Sequence, residues 1–230
     1  AWKPEDKRPA IVFFFGGGWA TGSVRQFEEQ AAHLARRGMV AARADYRVRM
    51  RHNVTPDRCV EDAKSAVRYL RQHAAVLGID PNRIVAAGGS AGGHIAACTS
   101  LTDGLEAENE NLKVSSKPNA LVLFNPALSF VDSPRLMFLI ANDAELGKTI
   151  SPTEHLSKQT PPTLLLYGTG DPLYAQGQDY LKRAEEAGCR CEMFTAEGKP
   201  HGFFNRQPWK QTTLDRVDAF LVSLGYLDTP

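Results

Sequence analysis

Six short stretches of the chain are apolar without the polar interruptions of a surface element. Residues 10–15 read AIVFFF and residues 120–124 read ALVLF, both with no alternation at all. Residues 84–87 (IVAA), 163–167 (TLLLY), 39–44 (MVAARA) and 191–195 (CEMFT) are shorter or more mixed versions of the same kind. A continuous apolar run of this length suits a strand buried on both faces, as in a parallel sheet. The segments between them change period. Phe27, Ala31, Leu34 and Ala35 recur at helical spacing within 23–37, and Gly38 ends that pattern. Thr55 and Pro56 give an N-cap and a first-turn proline to a second helix, whose apolar face is Cys59, Val60, Ala63, Val67 and Leu70, with Gly78 at its close. Residues 79–83 read as a turn, and a helix of small residues follows from His94. Further helices are predicted at 175–187 and 212–224. Strand and helix alternate throughout, which predicts a single α/β domain over 1–230 with one doubly wound, mostly parallel sheet.

Two regions do not follow the alternation. Residues 103–119 are polar and loop-like. Residues 127–160 hold no clear strand, only a short apolar helix near 137–140 and a capped turn at 151–156, and are expected to form a small cap. The first nine residues read as a polar lead-in.

Composition narrows the field. A net charge of +1 over 230 residues gives no basic surface for nucleic acid, so none is expected as a partner. No apolar run reaches the roughly 18 residues that span a bilayer. No signal-peptide pattern opens the chain. The compartment stays open, secreted or periplasmic included. The basic run at 47–52 reads first as a solvated loop and second as a wall of a substrate site. Cys59, Cys98, Cys189 and Cys191 have neither disulfide geometry nor zinc-site spacing and read as reduced packing residues; no metal or cofactor is expected.

The densest chemistry lies at 84–93, IVAAGGSAGG, where an apolar strand runs into Gly88-x-Ser90-x-Gly92 and then a helix. This fits a nucleophile elbow, in which a serine is pushed out on a turn too tight for side chains on either side. A glycine-rich loop that merely turns, or that cradles a phosphate, has the same composition. The first strand stops at Gly16-Gly17-Gly18, which leaves amide N–H groups unobstructed: a flexible turn, or an oxyanion hole. Asp171 follows the 163–167 strand in a Gly-Thr-Gly-Asp-Pro turn, and His201 follows the last strand in Pro-His-Gly. In an open α/β sheet the carboxyl ends of the strands share one rim, so Ser90, Asp171 and His201 should meet there. A serine hydroxyl needs a base to take its proton, and an imidazole oriented by a carboxylate supplies one. His94 reads as structural, His33 and His73 as solvated, and His52 and His155 as structural with a place near the pocket as the alternative. Asp45 reads as a loop-fixing residue, and Asp132 and Asp143 fall in the cap.

FFFGGGWATGS, ADYR, DAKSAVRYLR, IDPNRIVAAGGSAGGHIA, PPTLLLYGTGD and GKPHGFF together resemble the acetyl-esterase and hormone-sensitive-lipase-like branch of the α/β-hydrolases, over nearly the whole chain. The resemblance implies a serine carboxylesterase for short-chain, acetyl-like esters, acetylated carbohydrates among them. It implies Ser90, Asp171 and His201 as the triad, and Gly17, Gly18 and Ala91 as oxyanion donors. Bulky Phe15, Trp19 and Phe203 nearby suggest a tight acyl pocket. Two departures stand out. Phe15 occupies the position where this branch usually has a histidine, so any hydrogen bonds that histidine makes to fix the loop must be replaced. Only nine residues precede the first strand, too few for the strand pair expected there. The expected sheet therefore has about six strands in the family order 4-3-5-6-7-8. Its exposed edge at 39–44 points either to a chain that begins late or to pairing with a second copy. A prolyl-peptidase-like hydrolase shares the triad order, and a binding protein on the same fold is the non-catalytic alternative. The first usually carries a large extra domain, and the intact His201 turn speaks against the second.

Overall fold

The computed structural model describes residues 3–229. Ala1 and Trp2 of the lead-in, and Pro230, lie outside the described residues. Six strands form one sheet: β1 (Arg8–Phe14), β2 (Val40–Ala44), β3 (Ile79–Gly89), β4 (Ala120–Phe124), β5 (Thr163–Gly168) and β6 (Cys191–Ala196). They lie in the order β2-β1-β3-β4-β5-β6, every neighbouring pair parallel. That is the expected 4-3-5-6-7-8 arrangement on an α/β-hydrolase sheet, with β2 at one edge.

The unbroken apolar runs are explained by cover on both faces. On one face of β1, Ala10, Val12 and Phe14 join a core with α2 (Pro56–Gln72), α3 (Ala91–Leu101) and α4 (Tyr174–Glu186). On the other, Ile11 and Phe13 pack with Phe27, Ala31 and Leu34 from α1 (Glu28–Arg36) and its lead-in, and with Val217 and Phe220 from α5 (Trp209–Ser223). Alternate side chains point to opposite layers, and every side chain of 10–14 and 120–124 is buried.

Several boundaries differ from the sequence reading. Residues 79–83, expected as a turn, belong to β3. Ile79 pairs with Arg8 and is 2% exposed, so its burial draws the chain into the sheet, and the register shift between Arg8 and Ala10 absorbs the irregularity. For the same reason β1 begins at Arg8, inside the expected lead-in. Thr55 stands at the N-cap of α2, but its side chain makes no capping bond, and Pro56 alone marks the start. Helix α3 begins at Ala91 rather than at His94, because Gly92 and Gly93 are already helical.

Segment 127–160 contains no strand. It has short helices at Pro134–Met137 and Ala144–Thr149 and single 3-10 turns at Phe138–Ile140 and Pro152–His155. Its apolar side chains Leu136, Ile140 and Ile150 are buried in the core that carries α3. Ser151 ties it together: the hydroxyl accepts from the Phe130 amide at 2.7 Å and donates to the Gly147 carbonyl at 2.7 Å. Asp143 caps the helix Ala144–Thr149, and Asp132 accepts from the Ser129 hydroxyl. Among the described residues no helix is long and apolar enough to cross a membrane.

Candidate active site

β3 ends at Gly89 and α3 starts at Ala91, leaving one residue to reverse the chain. Ser90 takes φ 55° and ψ −120°, a conformation that costs a side-chain-bearing residue roughly 1–3 kcal/mol. The strain is enforced by contacts on either side. A Cβ on Gly88 would lie 2.4 Å from the Gly92 carbonyl oxygen, and one on Gly92 would lie 2.1 Å from the Phe14 carbonyl oxygen. The Ser90 backbone is held at both ends, its N–H donating to Phe124 O at 2.9 Å and its carbonyl accepting from His94 N at 2.9 Å. The glycine spacing in the sequence is thus a record of backbone passing against backbone.

The loops after β5 and β6 bring two more side chains to the same rim. His201 Nε2 lies 2.8 Å from Ser90 Oγ, and His201 Nδ1 lies 2.7 Å from Asp171 Oδ2. The other carboxylate oxygen of Asp171 accepts from the Leu173 amide at 2.8 Å. The Asp171 side chain is fully buried, whereas that of His201 is 37% exposed. A carboxylate can only accept, so it selects the tautomer with the proton on Nδ1 and turns the Nε2 lone pair toward the serine hydroxyl.

The turn after β1 passes beside Ser90: a Cβ on Gly16 would lie 3.3 Å from the Ser90 Cβ. Gly17 has φ 134° and Gly18 φ 61°, regions that favour glycine. The Gly17 carbonyl is turned away and accepts from the amides of Ala20 and Thr21, each at 3.1 Å. The N–H groups of Gly17 and Gly18 have no acceptor among the described residues. Ala91 is the first residue of α3, so its N–H has no carbonyl partner within the helix. The loop is fixed without a histidine at position 15. Tyr46 OH donates to Phe15 O at 2.6 Å, and the two rings stack at 4.2 Å. Gly16 N–H donates to Gln26 Oε1 at 2.6 Å, and Gln26 Nε2 reaches Asn205 Oδ1 at 3.2 Å on the histidine loop.

Of the three aromatics expected at the pocket, Phe203 lines a cleft beside His201. Phe15 and Trp19 are buried, 1% and 5% exposed. Trp19 meets Phe130 and His94 edge-on, and its Nε1–H donates to His94 Nδ1 at 3.1 Å. Since that nitrogen accepts, His94 carries its proton on Nε2 and donates to the Ile150 carbonyl at 2.7 Å. Burial pushes the His94 pKa down to about 4. One neutral imidazole therefore links the glycine loop, the helix after Ser90 and segment 127–160.

Other candidates have structural places. Asp45 forms a two-pronged pair with Arg51 and accepts from the Tyr46 amide. Arg47 pairs with Glu61 and Asp62, while residues 49–52 of the basic run form a short exposed helix, Arg49–His52, rather than a loop. His33, expected in solvent, contacts Asp218 at 2.8 Å. His73 stacks on Tyr69, His52 accepts from the Val48 amide, and His155 lies 3.0 Å from the Lys148 and Thr149 carbonyls. All four cysteines are free. Asn125, Gln26 and Asn205 were not legible as site residues. They act through single polar bonds between distant loops, and no spacing in the sequence signals those.

Known proteins of two kinds resemble this chain. The family model described as BD-FAE matches residues 2–181. A probable isoprenylcysteine alpha-carbonyl methylesterase from Arabidopsis thaliana is 30% identical over 219 residues, covering 84% of this chain and 45% of that protein. The carboxylesterase NlhH of Mycobacterium tuberculosis is 28% identical over 224 residues, covering 89% of this chain and 70% of that protein. The chain thus spans less than half of the first and about two thirds of the second. Among solved structures, the propionate-bound esterase Est2 of Thermogutta terrifontis superposes with a TM-score of 0.93 at 46% identity, over 100% of this chain and 88% of that one.

Proposed function

The chain belongs to the BD-FAE family, a family of α/β-hydrolase esterases, and from that premise we propose that it is a serine carboxylesterase acting on short-chain, acetyl-like esters, acetylated carbohydrates among them. The observation that carries the reading is the unbroken hydrogen-bonded chain from Ser90 through His201 to buried Asp171.

In this reading Ser90 Oγ attacks the ester carbonyl while His201 Nε2 takes its proton. Asp171 keeps the ring oriented and stabilises the imidazolium that forms. The carbonyl oxygen becomes an alkoxide facing the amides of Gly17, Gly18 and Ala91. Loss of one such donor typically costs about 3 kcal/mol of barrier. His201 then gives its proton to the leaving alcohol, which departs and leaves an acyl group on Ser90. Water, deprotonated by the same imidazole, reverses the sequence and releases the acid. No step calls for a metal or cofactor.

Three features favour a short acyl chain. The buried rings of Phe15 and Trp19 fill the space behind the glycine loop. Segment 127–160 acts as a small cap, joined to that loop by the contact of Phe130 with Trp19. The solved relative is one whose bound ligand is propionate. A panel of p-nitrophenyl esters from acetyl to decanoyl, run beside acetylated xylan, tests the assignment. The highest kcat/KM is expected between acetyl and butyryl, with release of acetate from the xylan. A maximum at octanoyl or longer contradicts the short pocket, and no turnover of any ester contradicts the function.

A further inference from the structure

Beside His201, the surface opens into a cleft of about 600 Å³. Lys199, Phe203, Arg206 and Trp209 are among its walls, and no aspartate or glutamate is. The Lys199 ammonium sits 5.6 Å from the centroid of the Trp209 ring, whose other neighbour is Phe203 at 5.9 Å. The cation is thereby held at the wall rather than swinging in solvent. Elsewhere the arginines of this chain mostly find carboxylates: Arg47, Arg51, Arg68, Arg83 and Arg183 are all in ion pairs. Lys199 and Arg206 are in none among the described residues. Gln207, Pro208 and Trp209, also on the wall, lead into α5, whose amino-terminal end adds partial positive charge at the same place.

The chemistry of the site says which half of a substrate reaches this cleft. The carbonyl oxygen must face the amides of Gly17, Gly18 and Ala91. The leaving oxygen must come within hydrogen-bonding reach of His201 Nε2 to receive its proton. The alcohol half therefore departs past His201, along residues 199–209. We infer that this cleft binds the alcohol half of the ester and selects alcohols that carry a carboxylate. The inference rests on the serine-esterase reading above and adds the substrate class of its leaving-group side.

Two partly exposed cations screened by water give a modest preference, roughly three- to tenfold at low ionic strength. A pair of esters alike in size measures it: 3-acetoxybenzoate and the uncharged 3-acetoxybenzamide, compared as the ratio of their kcat/KM values. The double variant Lys199→Gln/Arg206→Gln supplies the baseline set by leaving-group chemistry alone. The wild-type ratio is expected to exceed that baseline roughly three- to tenfold, to fall toward it at about 0.5 M salt, and to drop below it in the double variant Lys199→Glu/Arg206→Gln, whose wall carries a net negative charge. Salt dependence is read on the wild type, so the test holds even if a variant folds poorly. Turnover of both esters with a ratio equal to the baseline and indifferent to salt overturns this inference alone. Turnover of neither overturns the esterase reading and this one with it.

Discussion

Asn125 Oδ1 accepts the backbone N–H of Gly202 at 3.0 Å, tying the end of β4 to the residue that follows His201. Because the amide oxygen faces that N–H, the Asn125 Nδ2 group is the one turned to His201 Nε2, at 3.5 Å. Asn125 is fully buried and has φ 38°, which asparagine tolerates better than most side chains. The histidine loop is thus positioned by a neighbouring strand as well as by Asp171.

Asn125→Ala should lower kcat roughly 10- to 100-fold while leaving KM close to wild type, because a loosened His201 no longer sits in line with Ser90. Steady-state kinetics with p-nitrophenyl acetate checks this. An unchanged kcat would mean that Asp171 alone suffices to hold the ring.

Glu106 draws two buried cations together. Lys64 and Arg68, 2% and 3% exposed on their side chains, both reach its carboxylate at 2.6 Å. Glu106→Leu leaves two interior charges short of a partner and should destabilise the fold by about 3–5 kcal/mol. Lys64→Met in the same chain should recover part of the loss. Urea unfolding of the single and double variants measures both effects. A single variant as stable as wild type would show that Glu110 and the loop carbonyls satisfy the cations unaided.

These cations also mark where the sequence could be read and where it could not. The strands were legible because AIVFFF and ALVLF have no polar position to mislead, and both faces of the sheet are covered. Ser90, Asp171 and His201 were legible because each follows a strand in a glycine-rich turn, and a parallel sheet collects such turns on one rim. Lys64 and Arg68 fall outside the apolar face Cys59, Val60, Ala63, Val67 and Leu70 that the sequence picks out, yet they are buried by a loop, 103–119, whose own sequence is polar. A charged side chain paired inside looks the same in sequence as one in water. The start of β3 was missed for a related reason: Asp80-Pro81-Asn82 has turn composition, and only the tertiary burial of Ile79 extends the strand through it.

His94 makes stability depend on pH in a definite window. Its pKa, about 4 in the folded chain, lies below the ordinary value of 6.5, so below 6.5 the unfolded chain binds the proton first. The native state therefore loses stability as pH falls from about 6.5 to about 4, by roughly 3 kcal/mol, and this contribution is flat outside that range. Unfolding free energies measured across pH 4–7 for wild type and His94→Gln check it, with the slope expected to flatten in the variant. Parallel curves would place the dependence on other groups.

Two glycines near the site should lose stability to very different extents on substitution by alanine. In Gly92→Ala the added carbon falls 2.1 Å from one backbone oxygen and 2.4 Å from another, neither able to move without displacing β1. The variant should lose at least 3 kcal/mol or fail to fold. In Gly18→Ala nothing lies within 4 Å, and only the positive φ is unfavourable, at about 1–2 kcal/mol. Thermal unfolding of the purified variants separates the cases. Equal shifts in Tm would contradict the close approach at the elbow.

The most direct measurement is peptide mapping by mass spectrometry after reaction with a p-nitrophenyl alkylphosphonate, which transfers phosphorus to an activated serine and releases nitrophenolate. One adduct per chain is expected, on Ser90, forming in step with loss of esterase activity. It should be absent in Ser90→Ala, whose kcat for p-nitrophenyl acetate should fall by at least about 10⁴-fold. An adduct on another residue, or ester hydrolysis that survives in Ser90→Ala, would contradict the assignment of Ser90, His201 and Asp171 as the reacting unit.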